Sequence, residues 1–422
     1  MDDLSTAWKP PQYNISCSPS LDEVFSLTQD PNFPENFARI TKWSPDGSVH
    51  LSQCENRSFQ LGAFNTDESE IEPRIREFRQ PAPIVDYAWY PTASPRDPAS
   101  FCFVASVREC PVKLLDASDG RLRASYPIID HRERFIAPQS LAFNLSAQKL
   151  YCGFEDAIEV FDVAAPGEGI RLPTTPNKSS KDGLKGIISA MAFSPSYDSD
   201  VFAAGSLNAS RANIALFSES QGQVPLMFLD GGLKAGVMQL QFNPMQPHLL
   251  YASFRRDMRI FCWDLRYNVD QPSKIFGPMV STAQAVFKEP TNQKHRFDID
   301  ISGSYLSVGR QDGTILIYDL NEGHSSELLD ADHDTPLTIA PGLSFPAHQD
   351  SVGSVAFHPT SARLLSSSGS RNFDFTDSDS DSDLEEGNDS GDAETCADTR
   401  VVLLRSKRQP KVQDASLKLW KF

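Results

Sequence analysis

An all-β, seven-bladed propeller is the fold class that this 422-residue chain predicts, and three observations carry it. An apolar strand-like run that stops at a turn recurs seven times: Trp43-Ser44-Pro45, Trp89-Tyr90-Pro91, Phe143-Asn144, Phe193-Ser194-Pro195, Phe242-Asn243-Pro244, Ile301-Ser302-Gly303 and Phe357-His358-Pro359. The lead residues of these runs are 46, 54, 50, 49, 59 and 56 positions apart, and a period somewhat above about 40 with several strands per unit marks a propeller. Each run is also followed by further strand-like segments before the next begins. One such unit cannot bury its own apolar face, so the units must stack around an axis, and function moves to the loops on the rims.

Taken in chain order, residues 1–35 read as an N-terminal arm and 36–422 as the ring. The fifth unit is the clearest template. Val237–Phe242 is strand a and ends at Asn243-Pro244, where proline cannot continue a ladder. Leu249–Ser253 is strand b, Met258–Asp264 is strand c and Lys274–Met279 is strand d. Strand c closes on Trp263-Asp264, the dipeptide of WD-type propellers. The same c form recurs at Val112–Asp116, Ala157–Asp162, Asn213–Ser218, Thr314–Asp319 and Ser416–Trp420, rich in β-branched and aromatic residues with partial alternation. Small residues close the b strands (Ser106, Gly153, Ser206, Ser253, Gly309 and Ser368) and are expected near the narrow axis.

The last unit supplies only three strands, Val352–Phe357, Leu364–Ser367 and Ser416–Trp420, before the chain stops at Phe422. An open sheet edge would remain unless a strand came from elsewhere. Val24–Leu27 is the expected donor, an N-terminal strand that latches the ring. The same unit carries a long interruption, 374–414, whose acidic first half cannot bury enough apolar area to offset its ordering entropy. A disordered loop is expected there.

Apolar residues are 40% of the chain, with 27 Phe and 10 Tyr, enough for a large core. Net charge is −17, but residues 374–398 hold eleven Asp or Glu and no Lys or Arg. The other 45 acidic and 39 basic residues leave only −6, so bulk charge does not suggest wholesale coating of nucleic acid. Seven cysteines without a CxxC pair suit a reducing compartment. Met1-Asp2-Asp3-Leu4-Ser5 lacks the apolar stretch of a signal peptide, and no apolar run approaches the ~18 residues of a membrane helix. A soluble monomer, cytoplasmic or nuclear and away from membranes, is expected.

No enzyme signature is present: no GxGxxG, Walker loop, GxSxG elbow or HExxH. The eight histidines do not cluster at metal spacing, so no metal or cofactor is expected. His348, just before the last a strand, reads as a hydrogen-bonding brace of its blade.

The turns between strands b and c are more informative. Six of seven hold arginine: Arg57, Arg108, Arg211, Arg255 with Arg256, Arg310, and Arg371. Only the third differs, with Glu155-Asp156. In a WD propeller the b–c and d–a loops share a face, which places an arc of guanidinium groups around one mouth of the channel. Arginine gives bidentate contacts to phosphate and stacks on bases, so the rim is a candidate RNA-docking surface. The plain alternative is solvated turns, with Glu55 and Glu109 pairing with their neighbours. In the acidic stretch, Ser378, Ser380 and Ser382 each precede an acid by three residues, which suits an acid-directed kinase; an unmodified solvated segment is the alternative. Arg405-Ser406-Lys407-Arg408 is a short basic run of the nuclear-signal kind.

Several segments are not generic. Asn36-Phe37-Ala38-Arg39-Ile40-Thr41-Lys42-Trp43-Ser44-Pro45-Asp46-Gly47, Asp86-Tyr87-Ala88-Trp89-Tyr90-Pro91, Gly120-Arg121-Leu122-Arg123-Ala124-Ser125, Leu150-Tyr151-Cys152-Gly153-Phe154, Gly186-Ile187-Ile188-Ser189 and Cys262-Trp263-Asp264-Leu265-Arg266 resemble, in order, the telomerase Cajal body protein 1 family. The resemblance implies a non-catalytic scaffold that binds small Cajal body RNA or telomerase RNA and supports ribonucleoprotein biogenesis and localisation in the nucleus. The family's b–c arginines correspond to Arg108, Arg211 and Arg255. The Gly-His dipeptide of the family before blade 5 reads Gly231-Gly232-Leu233 here, so that brace is absent. The alternative reading is a protein-only propeller adaptor associated with pre-mRNA splicing.

Overall fold

The computed structural model describes residues 9–63, 75–176, 182–222, 224–278, 291–322, 335–371 and 411–422. These residues form seven sheets, one per repeat, antiparallel throughout except for one added strand in blade 5. The inner a strands are Ala38–Trp43, Ile84–Trp89, Ser140–Phe143, Ile188–Phe193, Val237–Phe242, Phe297–Ile299 and Val352–Phe357. Five of the seven begin with the register shift of a β-bulge one residue in, which sharpens the twist where the strand enters the ring. No helix occurs among the described residues.

The ring is stitched at every junction by polar side chains of the a strands and, in blade 1, of strand b as well. Between blades 1 and 2, Gln53 Nε2 donates to Ile84 O at 2.9 Å and Lys42 Nζ to Tyr87 O at 2.7 Å. Asp86 then accepts from Leu141 N (2.9 Å), Ser140 donates to Ile188 O (2.9 Å), Ser189 to Val237 O (2.6 Å) and Gln239 to Phe297 O (2.8 Å). Asp298 accepts from Phe357 N (2.8 Å), and Ser354 donates to Thr41 O (3.2 Å), returning to blade 1. Buried backbone groups that strand pairing leaves unmet are thereby satisfied across each interface.

Blade 7 closes as expected in kind but not in bounds. The latch is Ser20–Phe25 rather than Val24–Leu27, paired antiparallel with Leu417–Lys421 from Ser20↔Lys421 to Phe25↔Leu417. An outermost strand is half solvated, so ladder length rather than apolar content sets its extent. Phe25 is buried, whereas Leu21 and Val24 face solvent. The arm does more than pair. Tyr13 packs edge-on against Tyr305, Phe357 and Phe422, wedging blades 6 and 7 together.

Two further readings are corrected. The a strand of blade 6 ends at Ile299, not Ile301, which is 40% exposed in the following turn. Asp300 takes the turn position, and its carboxylate accepts from the backbone N–H of Ser302, Ser304 and Tyr305 at 3.0, 2.8 and 2.7 Å. Blade 5 carries a fifth strand, Leu337–Ile339, parallel to Lys274–Phe276. The expected disordered stretch lies almost wholly outside the described residues, with only 411–414 of it described.

His348 braces blade 7. Trp420 Nε1 donates to Ser366 Oγ (2.9 Å), Ser366 Oγ lies 2.7 Å from His348 Nε2, and His348 Nδ1 is 3.1 Å from Asp414 Oδ2. Burial outweighs the Asp414 carboxylate and holds the imidazole below its ordinary pKa, so the ring is neutral and donates from Nδ1. Blade 5 shows no such chain among the described residues: Trp263 Nε1 donates to Asp230 O (2.9 Å), and buried Ser253 Oγ has no hydrogen-bond partner there.

Candidate nucleic-acid interface

Each b–c turn is tied to the entrance of an a strand, which fixes these turns and the d–a segments on one face. Glu55 N bonds Phe37 O (2.9 Å), Arg108 N bonds Pro83 O (3.0 Å) and Asp156 N bonds Gly186 O (3.0 Å). Leu207 N bonds Ile187 O, Arg255 N bonds Gly236 O, Val352 N bonds Arg310 O, and Gly369 N bonds Ser351 O, all at 2.8–2.9 Å. Several of these turns hold a side-chain-bearing residue in the left-handed region: Arg57 (φ 65°), Glu109 (58°), Asp156 (57°) and Arg256 (63°). Each costs roughly 1–2 kcal/mol relative to the right-handed form, a cost that glycine would avoid.

The small residues that close the b strands pack against the d–a segments and a strands on this face, some of their own blade and some of the next. Ser106 Oγ donates to Pro138 O (2.7 Å), Ser368 Oγ to Ser351 O (3.3 Å), and a side chain at Gly309 would run into Val352.

Five of the seven arginines singled out in the sequence gather around two adjoining cavities. Arg108 and Arg371, with Arg39 and Lys294, line a cavity of about 300 Å³ at the mouth of the axial channel. Arg255, Arg256 and Arg310 line a cleft of about 630 Å³ beside it. Gln293 borders both and is held by its amide donating to Gly369 O at 2.8 Å. Arg57 and Arg211 are exposed in the turns of blades 1 and 4 and line neither. Blade 3 interrupts the arc, where Asp156 Oδ1 accepts from Gly186 N (2.7 Å).

The electrostatics are those of crowded cations. Glu55 pairs with Arg371 across the blade 1–7 junction and with Arg39 of its own blade (3.6 Å), rather than with its sequence neighbour Arg57. Burial lowers the Arg39 pKa; Glu55 opposes this, while Arg371 and Arg108 push the same way. Lys294 is brought down to about 8, first by burial and then by Arg296, with Arg39 and Lys42 adding to it and Asp86 opposing. Both effects disfavour the charged form, and a bound anion would reverse the second. A further cavity of about 410 Å³ is lined by Lys42, Asp86, Arg296 and Asp298 among the inner a strands. Arg310 lies 3.7 Å from Asp312, and the Nε atoms of Arg255 and Arg256 both donate to Asn292 Oδ1, at 3.1 and 2.9 Å. That shared acceptor holds two guanidiniums side by side.

Arg39, Lys294 and Arg296 were not singled out in the sequence. Arg39 lies inside a strand, and the other two sit in the short entry to blade 6, where no repeat signal marks them. Ser378, Ser380 and Ser382 lie outside the described residues. Among the described residues no group of three or more His, Cys, Asp or Glu is placed to hold a metal.

The WD domain, G-beta repeat model matches residues 340–373, the segment that contains His348 and Ser366. Telomerase Cajal body protein 1 of Mus musculus is 32% identical over 348 residues, covering 80% of this chain and 60% of the relative. The Homo sapiens protein of that name is 30% identical over 385 residues, covering 88% and 63%. Guanine nucleotide-binding protein negative regulator 1 of Schizosaccharomyces pombe is 28% identical over 334 residues, covering 74% and 78%. The chain thus spans less than two thirds of the length of the two telomerase Cajal body relatives. The matched repeat, the seven-bladed ring and these similarities together make the chain a WD-repeat protein related to the telomerase Cajal body protein 1 family.

Proposed function

We propose that this propeller is a non-enzymatic scaffold that binds a single-stranded element of small nuclear RNA across its b–c face and supports assembly and nuclear localisation of the ribonucleoprotein. One observation carries the reading: Arg39, Arg108, Arg371 and Lys294 converge on a single cavity, where Glu55 pairs with only two of them. Like charges so placed are costly unless an anion joins them, and phosphates of a flexible strand supply several at once. Telomerase and Cajal body RNAs are the candidate clients, because the relatives carry those names. Ser378, Ser380 and Ser382 are proposed phosphorylation sites whose added charge would compete with RNA.

Salt titration of RNA binding is the test. With about six phosphate contacts to single-stranded RNA, log K falls against log salt with a slope of roughly −4, on the order of 300-fold between about 50 and 200 mM. A flat response, or no RNA recovered after crosslinking in cells, refutes the proposal.

A second reading, a protein-only adaptor, draws on the fission yeast relative, whose name refers to a guanine nucleotide-binding protein and not to RNA. Pull-down of a protein partner that nuclease treatment leaves intact, together with the flat salt response, would favour it.

A further inference from the structure

The cleft between blades 5 and 6 differs in chemistry from the cavity at the channel mouth. Its floor is apolar, made by Met238, Met258, Pro278 and Val308, while Arg255, Arg256, Arg259 and Arg310 stand around it. Two of those charges are balanced: Arg259 by Asp257 at 2.8 Å and Arg310 by Asp312 at 3.7 Å. Arg255 and Arg256 are exposed and oriented by a neutral amide, Asn292. His295 adds no charge: burial takes its pKa down to about 4, and its Nε2 lies 2.9 Å from Ser351 Oγ. A volume of about 630 Å³ falls in the ~300–1,000 Å³ range of small-molecule sites, and a mostly apolar floor with a few placed polar groups is their usual lining.

A phosphate alone would leave the floor unused, and an apolar side chain alone would leave the guanidiniums unused. A nucleotide uses both. Unstacked bases in single strands lie against guanidinium planes and apolar side chains, while neighbouring phosphates take the charged rim. The channel-mouth cavity shares Gln293 with the cleft, so a continuous strand can run from one to the other.

We propose that the cleft between blades 5 and 6 takes one unstacked nucleobase, its flanking phosphates resting on Arg255 and Arg256. This rests on the RNA reading above and adds a base subsite to it. The proposal predicts that affinity has a base-dependent part that backbone charge does not supply.

The test compares single-base RNA homopolymers of about 12 nucleotides with the abasic ribose-phosphate chain of equal length, so that charge is constant. At least one homopolymer should bind on the order of ten-fold tighter than the abasic chain. Met258→Gln, and independently Met258→Ser, at a half-buried position outside the strands, should erase that difference while leaving the salt slope and Tm nearly unchanged. If all homopolymers and the abasic chain bind alike with the steep salt slope intact, the base subsite is wrong and the RNA reading survives. If no RNA binds, both fall. If an acidic peptide of equal charge binds tighter than any RNA and loses that binding in Met258→Gln, the cleft is a protein site and the proposal is overturned.

Discussion

His50 makes the packing of blade 1 depend on pH, and the dependence can be worked out in advance. Its ring is buried among Phe25, Trp43 and Gly62, and neither nitrogen has a hydrogen-bond partner among the described residues. Burial alone lowers its pKa from 6.5 to about 4. Because the native value is the lower one, the unfolded chain binds the proton first as pH falls. Stability is therefore full above pH 6.5 and declines as pH drops toward 4, by about 3 kcal/mol in all and about 2 kcal/mol by about pH 5. Asp298 works in the opposite direction. Burial raises it from 3.8 to about 6, so the native state keeps its proton longer than the unfolded chain does. Acidifying from about pH 7.5 to 5 returns about 1.5 kcal/mol through that group.

The parent protein's pH profile therefore mixes opposing contributions, and a variant must isolate one. His50→Leu removes the titrating ring and leaves Asp298 in place. Urea unfolding followed by tryptophan fluorescence at about pH 7.5 and about pH 5 should show the variant gaining about 2 kcal/mol relative to the parent between the two conditions, whatever its offset at neutral pH. Parallel pH responses of parent and variant would mean that the imidazole is not held neutral by burial, and the reasoning fails.

Asp414→Ala should cost about 3 kcal/mol in urea unfolding at neutral pH, because His348, Ser416 and Gln349 all lose their shared acceptor; a change under about 0.5 kcal/mol would show that the Trp420–Ser366–His348–Asp414 chain does not brace blade 7. Arg256→Gly should leave Tm nearly unchanged, since relief of the left-handed backbone offsets the added freedom of the unfolded chain, while shrinking the salt slope of RNA binding by about 0.7; an unchanged slope would remove Arg256 from the interface.

Much of this molecule was legible in one dimension. A period near fifty residues and an apolar run ending in a turn are local signals, and they specify seven repeated sheets because a single sheet leaves one face unburied. The missing fourth strand of blade 7 was likewise a matter of counting, with an N-terminal segment the expected donor, and Ser20–Phe25 supplies it. Blade 6 shows where local reading stops. Ile301-Ser302-Gly303 imitates the end of a strand, yet the ladder stops at Ile299 because the Asp300 carboxylate captures three backbone N–H groups of the turn. The fifth strand of blade 5 had no period to announce it.

The arginine turns were visible as residues but not as a site. Sequence put arginine in six of seven b–c turns; tertiary structure brought Arg108 and Arg371 together with Arg39 and Lys294, set Arg255, Arg256 and Arg310 around a separate cleft, and left Arg57 and Arg211 apart. The reason is that a repeat fixes what lies along each blade, whereas proximity around the axis depends on how far each turn leans inward. That lean is set by contacts between residues hundreds of positions apart, such as Arg371 with Glu55, and no local pattern encodes them.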